Sequence, residues 1–444
     1  MMKLKPPVSE KIYDYKFPEF IKKTINPDLD IYHIRRNDSE LFNIKIISKS
    51  GSYDEQIPGL TYLTSQMTTK GTKKRSQDKL ADEMDFIGAN LNSSASFDLS
   101  YWNLSCLEEH SDKGLALLGD CINYSNFPDK EIEILKGRII ADIAQKKAEP
   151  AYLAKQAFFS GIYYDSPYGN PLTGTENSIT NINRENLLIR FDELLKKNKI
   201  SIITSSRFSI EESFNYLSEN FKFFNRINKT KSKIIGKVIP KHNIIRIAEK
   251  ESAGQTALRI GKKTIGINHP DYIALTLANT IFGGYFMSRL NGLIREKLGY
   301  TYGIHSFIDY RLKGSTLQIT SSVNKTATAK TINAVFKLMD KFIKEPVKQK
   351  EFQRAKKYSL GTFLRNTESS QQIMSLIGII DLFKLNNHYY ENSYNAISNI
   401  TPDELFIIQK KYFKPDNLVI AAAGDKKYLE KELKSFGEIS YYES

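Results

Sequence analysis

The sequence has few of the residues that build disulfide scaffolds or clustered metal sites. Only Cys106 and Cys121 are present in 444 residues, and two cysteines are too few for a disulfide framework in a chain of this length. We interpret both as structural thiols inside helices or strands. The 6 histidines are dispersed and no Cys-x-x-Cys pair occurs. Because helical zinc sites take ligands at i and i+3 or i+4, the sequence predicts that this chain holds no metal.

Long hydrophobic runs are also missing. No stretch of about 18 apolar residues occurs, and this predicts that no transmembrane helix is present. Lys3 and Lys5 are not followed by an apolar stretch, so the N-terminus does not look like a signal peptide. We therefore expect a cytoplasmic protein, with the periplasm as the alternative if a signal peptide has been removed.

Acidic residues are outnumbered by basic ones, and the formal net charge is +14. The lysines are spread along the chain, and no basic stripe interleaved with aromatic residues occurs, so we do not expect nucleic-acid binding. The hydrophobic content of 41% and the charged content of 26% are ordinary for a soluble globular protein. The basic charge is compatible with an acidic partner or acidic peptides, and it identifies neither.

The chain repeats one pattern in its two halves. Residues 181–192 and 399–410 each place an N-cap signal before an acidic first turn and a helix, which runs into an apolar strand. The two segments are 218 residues apart, and so are Pro128 and Pro346, each of which opens a helical stretch rich in Lys and Glu. This order predicts two tandem homologous domains. We place them at 1–225 and 243–444, joined by a polar, basic linker at 226–242.

Within each half the pattern is α+β. Residues 31–51 predict two strands around a turn at Asn37–Ser39, and Ser76 predicts the N-cap of a helix that stops at Gly88. Residues 91–107 alternate with period two, which predicts a strand, and a helix follows. We expect each domain to be a mostly antiparallel sheet with helices packed on one face.

The segment Gly59–Thr72 reads Gly-Leu-Thr-Tyr-Leu-Thr-Ser-Gln-Met-Thr-Thr-Lys-Gly-Thr. It resembles the zinc helix of the insulinase/pitrilysin metallopeptidase superfamily, Gly-Leu-x-His-x-x-Glu-His-Met-x-x-Lys-Gly-Thr. Tyr62 and Gln66 stand where that family has its two zinc-binding histidines, and Ser65 stands where it has the catalytic glutamate. The frame of the family's third ligand, a glutamate, falls on Asp142. The resemblance therefore implies a zinc motif whose ligands have been lost.

A second signature lies in the other half. The segment Gly283–Tyr302 resembles the family's C-terminal signature, which has a glycine-rich lead-in, Ser-Arg-Leu, and then Arg-Glu-Lys-x-Gly-x-x-Tyr, and here each of these positions is filled. Arg295 is expected in the last turn of a helix ending at Gly299, and Tyr302 is expected to open a strand. The alternative is that Arg295 caps helix carbonyls and Tyr302 packs in the sheet.

The chemistry of peptide hydrolysis suits this pair. Negative charge builds on the scissile carbonyl oxygen, and a guanidinium and a phenol can donate hydrogen bonds to that oxygen and to the neighbouring peptide carbonyl. The resemblance implies that Arg295 and Tyr302 are the catalytic residues of this chain. It also implies a substrate-binding edge strand within 88–95. The candidate substrate-binding residues are Asn92, Ser93, Ala95, Gly283 and Gly284.

The resemblance extends from about Ile31 to Asp425 and implies that the two domains form half of a clam-shell chamber. It is strongest for the two-chain bacterial branch, in which one subunit carries His-x-x-Glu-His and the other carries the Arg/Tyr pair. It implies that this chain is the second kind of subunit, inactive alone. Zinc would be held by the homologous partner, and the substrate would be a peptide or unfolded protein.

Two other functions stay open at this point. The chain could be a non-catalytic structural or peptide-binding homologue that acts as a homodimer or within a larger complex, as the core subunits of respiratory complexes do. It could also be the substrate-recognition subunit of a presequence-processing enzyme, although that subunit usually has a longer glycine-rich loop than Phe282–Tyr285.

Overall fold

The structure is a computed structural model that describes residues 14–164, 166–222, 243–251 and 253–443. Within these ranges the chain forms two six-stranded sheets. The strands of the first sheet are β1 (Ile21–Asn26), β2 (Leu29–Arg35), β3 (Leu41–Ser48), β4 (Asn90–Ala95), β5 (Ser100–Leu107) and β6 (Ile200–Ser206). Those of the second are β7 (Ile244–Glu249), β8 (Gln255–Thr264), β9 (Thr301–Asp309), β10 (Ser315–Asn324), β11 (Val419–Gly424) and β12 (Glu438–Tyr442).

The two sheets share the topology of five strands and differ in the sixth, because β1 pairs antiparallel with β2 whereas β12 pairs parallel with β7. The strand order is β1-β2-β6-β3-β5-β4 in the first sheet and β12-β7-β11-β8-β10-β9 in the second. Each has a central parallel pair, β2 with β6 and β7 with β11, and three consecutive antiparallel pairings lead from that pair to the edge. The edge strands that correspond are β4 and β9. The mixed architecture with two similar halves confirms the predicted fold class.

Fifteen α-helices accompany the sheets in the described part of the chain. In the first half they are α1 (Leu60–Met67), α2 (Gln77–Phe86), α3 (Ser111–Tyr124), α4 (Asp129–Lys147), α5 (Pro150–Ile162), α6 (Glu176–Asn181), α7 (Arg184–Asp192) and α8 (Ile210–Asn220). In the second half they are α9 (Tyr272–Asn279), α10 (Thr328–Lys344), α11 (Gln349–Arg365), α12 (Ser370–Phe383), α13 (Tyr389–Asn399), α14 (Pro402–Tyr412) and α15 (Lys426–Leu433).

Each sheet is covered on one face by helices of its own half and on the other by a helix of the opposite half. Helix α5 packs against β7, β8 and β11, with Phe158 and Ala157 buried against Ala421. Helix α12 packs against β3 and β6, with Ile377 buried against Ile203. This exchange of α5 and α12 between the two sheets buries apolar surface between the halves and stabilises them as one unit. Sequence periodicity did not predict this exchange, because a helix pattern shows which face is apolar and not which sheet it meets.

The predicted local signals have the expected structures. Ser76 caps α2 by accepting a hydrogen bond from Lys79 N, and Gly88 follows the helix with a positive φ of 61°. The repeated segments form α7 before β6 and α14 before β11, each helix opened by a capping box. The run 91–107 is not one strand: it is split into β4 and β5 by a turn closed by the Ser96 N to Leu99 O hydrogen bond of 2.7 Å. That turn moves the buried positions from odd to even residues.

Other sequence predictions have mixed outcomes. Cys106 and Cys121 are both unpaired and buried, and burial raises their pKa values to about 11 and about 12, so both thiols are unreactive. None of the described helices has the length and apolar character needed to cross a bilayer. The whole predicted linker, 226–242, lies outside the described residues, so the domain boundaries stay a prediction.

Candidate functional site

Arg295 and Tyr302 lie on two adjoining elements of the second half. Arg295 is in the last turn of a π-helical segment, Asn291–Lys297, and Tyr302 is the second residue of β9. The chain turns between them at Gly299, whose φ of 66° lies in the left-handed region that favours glycine. Both side chains line one open pocket of about 470 Å³. A helix end and a strand start thus bring a guanidinium and a phenol to the same place.

Tyr302 does not pack into the sheet. It is 94% exposed, although Ile304 and Ser306 further along the same strand are buried. The pairing of β9 with β10 is irregular at this end, with a register shift between Ser321 and Val323. Such an irregularity interrupts the regular alternation of side chains and re-aims the residue that lies in it. The alternative in which Tyr302 is a core residue of the sheet is therefore wrong.

Arg295 is held by an aromatic ring and not by an acid. Its guanidinium carbon lies 4.6 Å from the centroid of the Phe286 ring, a cation–π contact that orients the group. Within the described residues no carboxylate pairs with Arg295, and it makes no hydrogen bond to a helix carbonyl. The donors of the guanidinium are thus available to a ligand in the pocket.

The neighbouring residues of the signature fix this geometry. Asn291 joins the π-helical segment to β9, because its side chain accepts from Ile304 N at 3.4 Å and donates to Tyr285 O at 3.4 Å. Arg289 makes a bidentate ion pair with Glu351 of α11, with N–O distances of 2.8 and 2.9 Å. The Ser-Arg-Leu part of the signature therefore has a structural role here.

The two glycines of the lead-in differ in their surroundings. Gly283 is buried, and a Cβ atom there would lie 2.5 Å from Leu290 Cδ1 and closer still to the Ser306 hydroxyl. Gly284 is exposed, lines the Arg295/Tyr302 pocket, and would place a Cβ 3.2 Å from Asn279. Close packing therefore requires the first glycine, and only the second lies where a substrate could touch it.

The degenerate zinc motif in the first half lies on α1 and faces the edge strand β4. The Gln66 side-chain amide donates to Ser93 O at 2.8 Å, and the Ser93 hydroxyl donates to Ser65 O at 2.6 Å. The Ser65 hydroxyl is fully buried and donates to Thr61 O at 2.9 Å within the helix. These side chains form hydrogen bonds within the chain and do not form a set of metal ligands.

Asp142, at the position of the third ligand, is paired with a lysine. Its carboxylate lies 2.6 Å from the Lys146 ammonium one helical turn away. The hydrogen bond to Asp142, aided by the nearby phenols of Tyr62 and Tyr152, raises the pKa of Lys146. An ammonium therefore supplies positive charge beside the remnants of the motif. No group of three His, Cys, Asp or Glu residues that could hold a metal ion occurs in the described parts of the chain.

Comparisons with known proteins identify the family of the chain. Residues 35–176 match the family described as "Insulinase (Peptidase family M16)", and residues 181–359 match "Peptidase M16 inactive domain". The chain belongs to the M16 peptidase family. The inactive-domain match contains Arg295 and Tyr302, and the insulinase match contains the altered motif on α1.

Similar M16 proteins come from several bacteria. A Rickettsia bellii protein named "Uncharacterized zinc protease" is 29% identical over 320 residues, which cover 70% of this chain and 75% of that protein. A Helicobacter pylori protein named "Non-peptidase homolog YmxG" is 22% identical over 376 residues, covering 84% and 86%. The names thus include both a zinc protease and a non-peptidase homologue.

Solved structures show the same fold. The Pseudomonas fluorescens structure described as a peptidase M16 inactive domain superposes with a TM-score of 0.84 at 23% identity, covering 92% of this chain and 98% of that one. A Helicobacter pylori structure described as a protease has the same TM-score at 15% identity, covering 92% and 100%. At these identities the likeness establishes the fold alone.

The candidate substrate-binding strand of this M16 chain is β4, which lies at the edge of the first sheet. Ser93 and Ala95 are buried, whereas Asn92 is exposed and bonded to Asn90 and Asn103. The Gln66 amide already occupies the Ser93 carbonyl. Thus β4 and the altered motif belong to the first sheet and its helices, whereas Arg295, Tyr302 and Gly284 line a pocket at the edge of the second sheet.

Sequence reasoning missed several residues around these sites. Lys146 could have been found as a lysine four residues after Asp142 on one helix face. Phe286 lies within the C-terminal signature but has no charge or acid–base chemistry to draw attention. Arg259 and Lys155 belong to separate elements, so only the folded chain places Lys155 near Arg259, and Arg259 in one row with the pocket residue His305.

Proposed function

We propose that this chain is the non-metal subunit of a heterodimeric M16 peptidase, and that it supplies Arg295 and Tyr302 at the zinc site of a homologous partner. The observation that carries the proposal is the pocket in which a fully accessible phenol and an unpaired guanidinium converge. A guanidinium and a phenol whose hydrogen-bond donors are not used within the chain can donate to the carbonyl oxygens of a bound peptide.

The chemistry follows from the two donors. The partner's zinc would supply the activated water, and this chain would bind the substrate peptide. Tyr302 would donate its phenolic hydrogen to the scissile carbonyl oxygen as negative charge builds there. Arg295, oriented by Phe286, would donate to a neighbouring peptide carbonyl and keep the substrate in register. This chain alone would bind peptides without cleaving them.

A second function is supported by the name of the Helicobacter pylori relative, a non-peptidase homologue. In that case the chain is a structural or peptide-binding protein that pairs with itself or joins a larger complex. The internal hydrogen bonds of Gln66 and Ser65 are compatible with either function, because neither function requires a metal in the first half of this chain.

The experiment that separates the two is affinity purification of the full chain from its native cells, with mass spectrometry of proteins recovered in equal amount. A stoichiometric partner containing His-x-x-Glu-His, whose peptidase activity depends on adding this chain, is the expected result. Recovery of the chain alone, as a homodimer, would contradict the heterodimer and support the non-catalytic homologue.

A further inference from the structure

The face of the second sheet that continues from the Arg295/Tyr302 pocket is only partly covered. Sheet register places His305 of β9, Thr320 of β10 and Arg259 of β8 in one row, so their side chains share a face. Helix α5 packs over β7, β11 and β8 on this face. Toward β9 the face opens, and His305 and Ser322 are exposed.

Arg259 is a half-buried cation without a direct counter-ion. Its guanidinium lies 5.8 Å from the ring centroids of Phe159 and Phe307, and it donates to the neutral Gln318 Oε1 at 2.6 Å. Burial, together with repulsion from Arg311, lowers its pKa to about 10, although the Asp309 carboxylate opposes the shift. A cation kept away from water without a carboxylate is unfavourable for the free protein.

Lys155 lies on α5, the helix that packs against β8, and its side chain is exposed. Its pKa is lowered by desolvation from neighbouring groups and by repulsion from Arg259 and Arg311, so these cations lie close enough to interact. His305 lies beside Arg259, and its ring stacks on Phe307 with centroids 5.9 Å apart. Arg259 is thus close to both Lys155 and His305, and because burial lowers the pKa of His305, Arg259 and Lys155 are the two cations of the group near pH 7.

The carboxylates near these cations already have other partners. Asp309 is bound by Arg311 at 2.9 Å, and Asp142 is bound by Lys146 at 2.6 Å. Within the described residues no carboxylate pairs with Arg259 or Lys155. We call Lys155, Arg259 and His305 the basic strip.

The basic strip joins the two functional regions. At one end, His305 lines the same pocket as Arg295 and Tyr302. At the other end, Lys155 lies within electrostatic range of Lys146, beside the altered zinc motif. A peptide held at Arg295 and Tyr302 and extended along this face would pass the strip, presenting alternate side chains to it about every 7 Å.

We propose that the basic strip selects peptides that carry carboxylates within a few residues of the segment bound at Arg295 and Tyr302. This proposal rests on the proposed peptide-binding function and adds the substrate class. An acidic side chain would supply the counter-ion that Arg259 and Lys155 lack. A C-terminal carboxylate has the same chemistry, so the test must distinguish it from Asp and Glu side chains.

The test measures binding of fluorescent peptides of equal length to the full chain by anisotropy. The set contains a neutral Ser/Ala peptide, the same peptide with Glu at alternate positions, one with Lys there, and the Glu peptide with an amidated C-terminus. We expect the Glu peptide to bind about tenfold more tightly than the neutral one, the equivalent of one partly buried charge pair. Amidation of the C-terminus should leave this preference intact. If amidation abolishes the preference, the basic strip binds the C-terminal carboxylate, and this would contradict selection by side chains.

Two variants locate the effect. Lys155→Ala, at an accessible position, and Arg259→Gln should each remove most of the preference for Glu, while Arg259→Lys retains part of it. Lys337→Ala on α10, an exposed lysine on a helix that packs on the opposite face, is the matched control and should leave the preference unchanged. If Lys337→Ala lowers Glu-peptide binding as much as Lys155→Ala does, the preference is a general effect of net charge and the proposal is wrong.

Other outcomes separate this proposal from the proposed function. Equal binding of neutral and acidic peptides would overturn the selection of acidic peptides while leaving a peptide-binding subunit. Suppose that the preference for Glu depends on Lys155 but no zinc-bearing partner is recovered with the chain. That result would support the role of the basic strip and contradict the proposed heterodimer. If the chain alone binds none of the peptides, the ratio of kcat/KM values for the same peptides in the assembled complex decides, and a ratio near one contradicts the proposal.

Discussion

The altered motif on α1 and the Arg295/Tyr302 pocket have opposite relations to their surroundings. On α1, Gln66 is bonded to β4 and Asp142 to Lys146, so the positions of the former ligands are satisfied from within the chain. In the pocket, Tyr302 is almost fully exposed and Arg295 lacks a carboxylate partner within the described residues. This contrast is what the proposed function predicts, because the donors of a ligand site have no partner within the chain, whereas the altered motif is bonded internally.

The largest effect should come from Arg295. In a complex with a zinc-bearing partner, Arg295→Ala should lower turnover by roughly 10²–10³, because it removes a donor that acts on the bound peptide. The partner's zinc content should stay the same, since the residue holds no metal. Arg295→Lys should restore only part of the activity, because an ammonium lacks the planar fork of donors. Unchanged turnover in Arg295→Ala would show that Arg295 does not act on the bound peptide, and the functional contrast between the pocket and the altered motif would be wrong.

The lead-in glycines should respond differently to a methyl group. Gly283→Ala should lower the free energy of unfolding by about 1–3 kcal/mol, because its Cβ would press into Leu290 and Ser306. Gly284→Ala is the matched control, with more room around its Cβ, and should cost much less. Urea unfolding of both variants gives the values. Equal stabilities would mean that the buried glycine is not needed for packing.

The altered motif should regain a metal if its internal pairings are replaced. A variant with Tyr62→His, Gln66→His and Asp142→Glu supplies three ligands on the frame of the resembled motif. Adding Lys146→Ala should raise its zinc affinity by roughly tenfold or more, since a nearby ammonium repels the cation. Isothermal titration with zinc measures this, and Lys147→Ala serves as the control. If both lysine variants give the same affinity, Lys146 does not influence this site.

The smallest effect concerns Gln66. Gln66→Ala should lower the free energy of unfolding by about 0.5–1.5 kcal/mol, because it removes the hydrogen bond to the Ser93 carbonyl. Gln145→Ala, an exposed glutamine on α4, is the control and should be nearly neutral. A Gln66→Ala variant as stable as the control would show that this bond contributes nothing to the altered motif.

Local structure was predicted well from the sequence. The relative positions of distant segments were predicted only where the internal repeat or the family resemblance indicated them. Capping residues such as Ser76 and Thr401 indicated where helices begin, because an N-cap side chain accepts a hydrogen bond from a backbone N–H in the first turn of its own helix. The exchange of α5 and α12 between the sheets could not be predicted, since apolar periodicity does not name the partner surface. The turn at Ser96–Leu99 was missed because both flanking strands alternate.

The same limit applies to the sites. Arg295 and Tyr302 could be singled out because they lie within one continuous signature. The basic strip combines residues from α5, β8 and β9, and its character depends on which carboxylates are already paired. The exposure of Tyr302 depends on an irregular strand pairing that leaves no mark in the sequence pattern.

The most direct test of the account is the turnover of the assembled complex carrying Tyr302→Phe. The substitution removes one phenolic oxygen from a residue that is 94% exposed, so the fold should not change. Turnover should fall by roughly 10²–10³ while assembly and the partner's zinc content stay the same. A complex with Tyr302→Phe that cleaves peptides at the unaltered rate would contradict a role for this chain in stabilising the transition state.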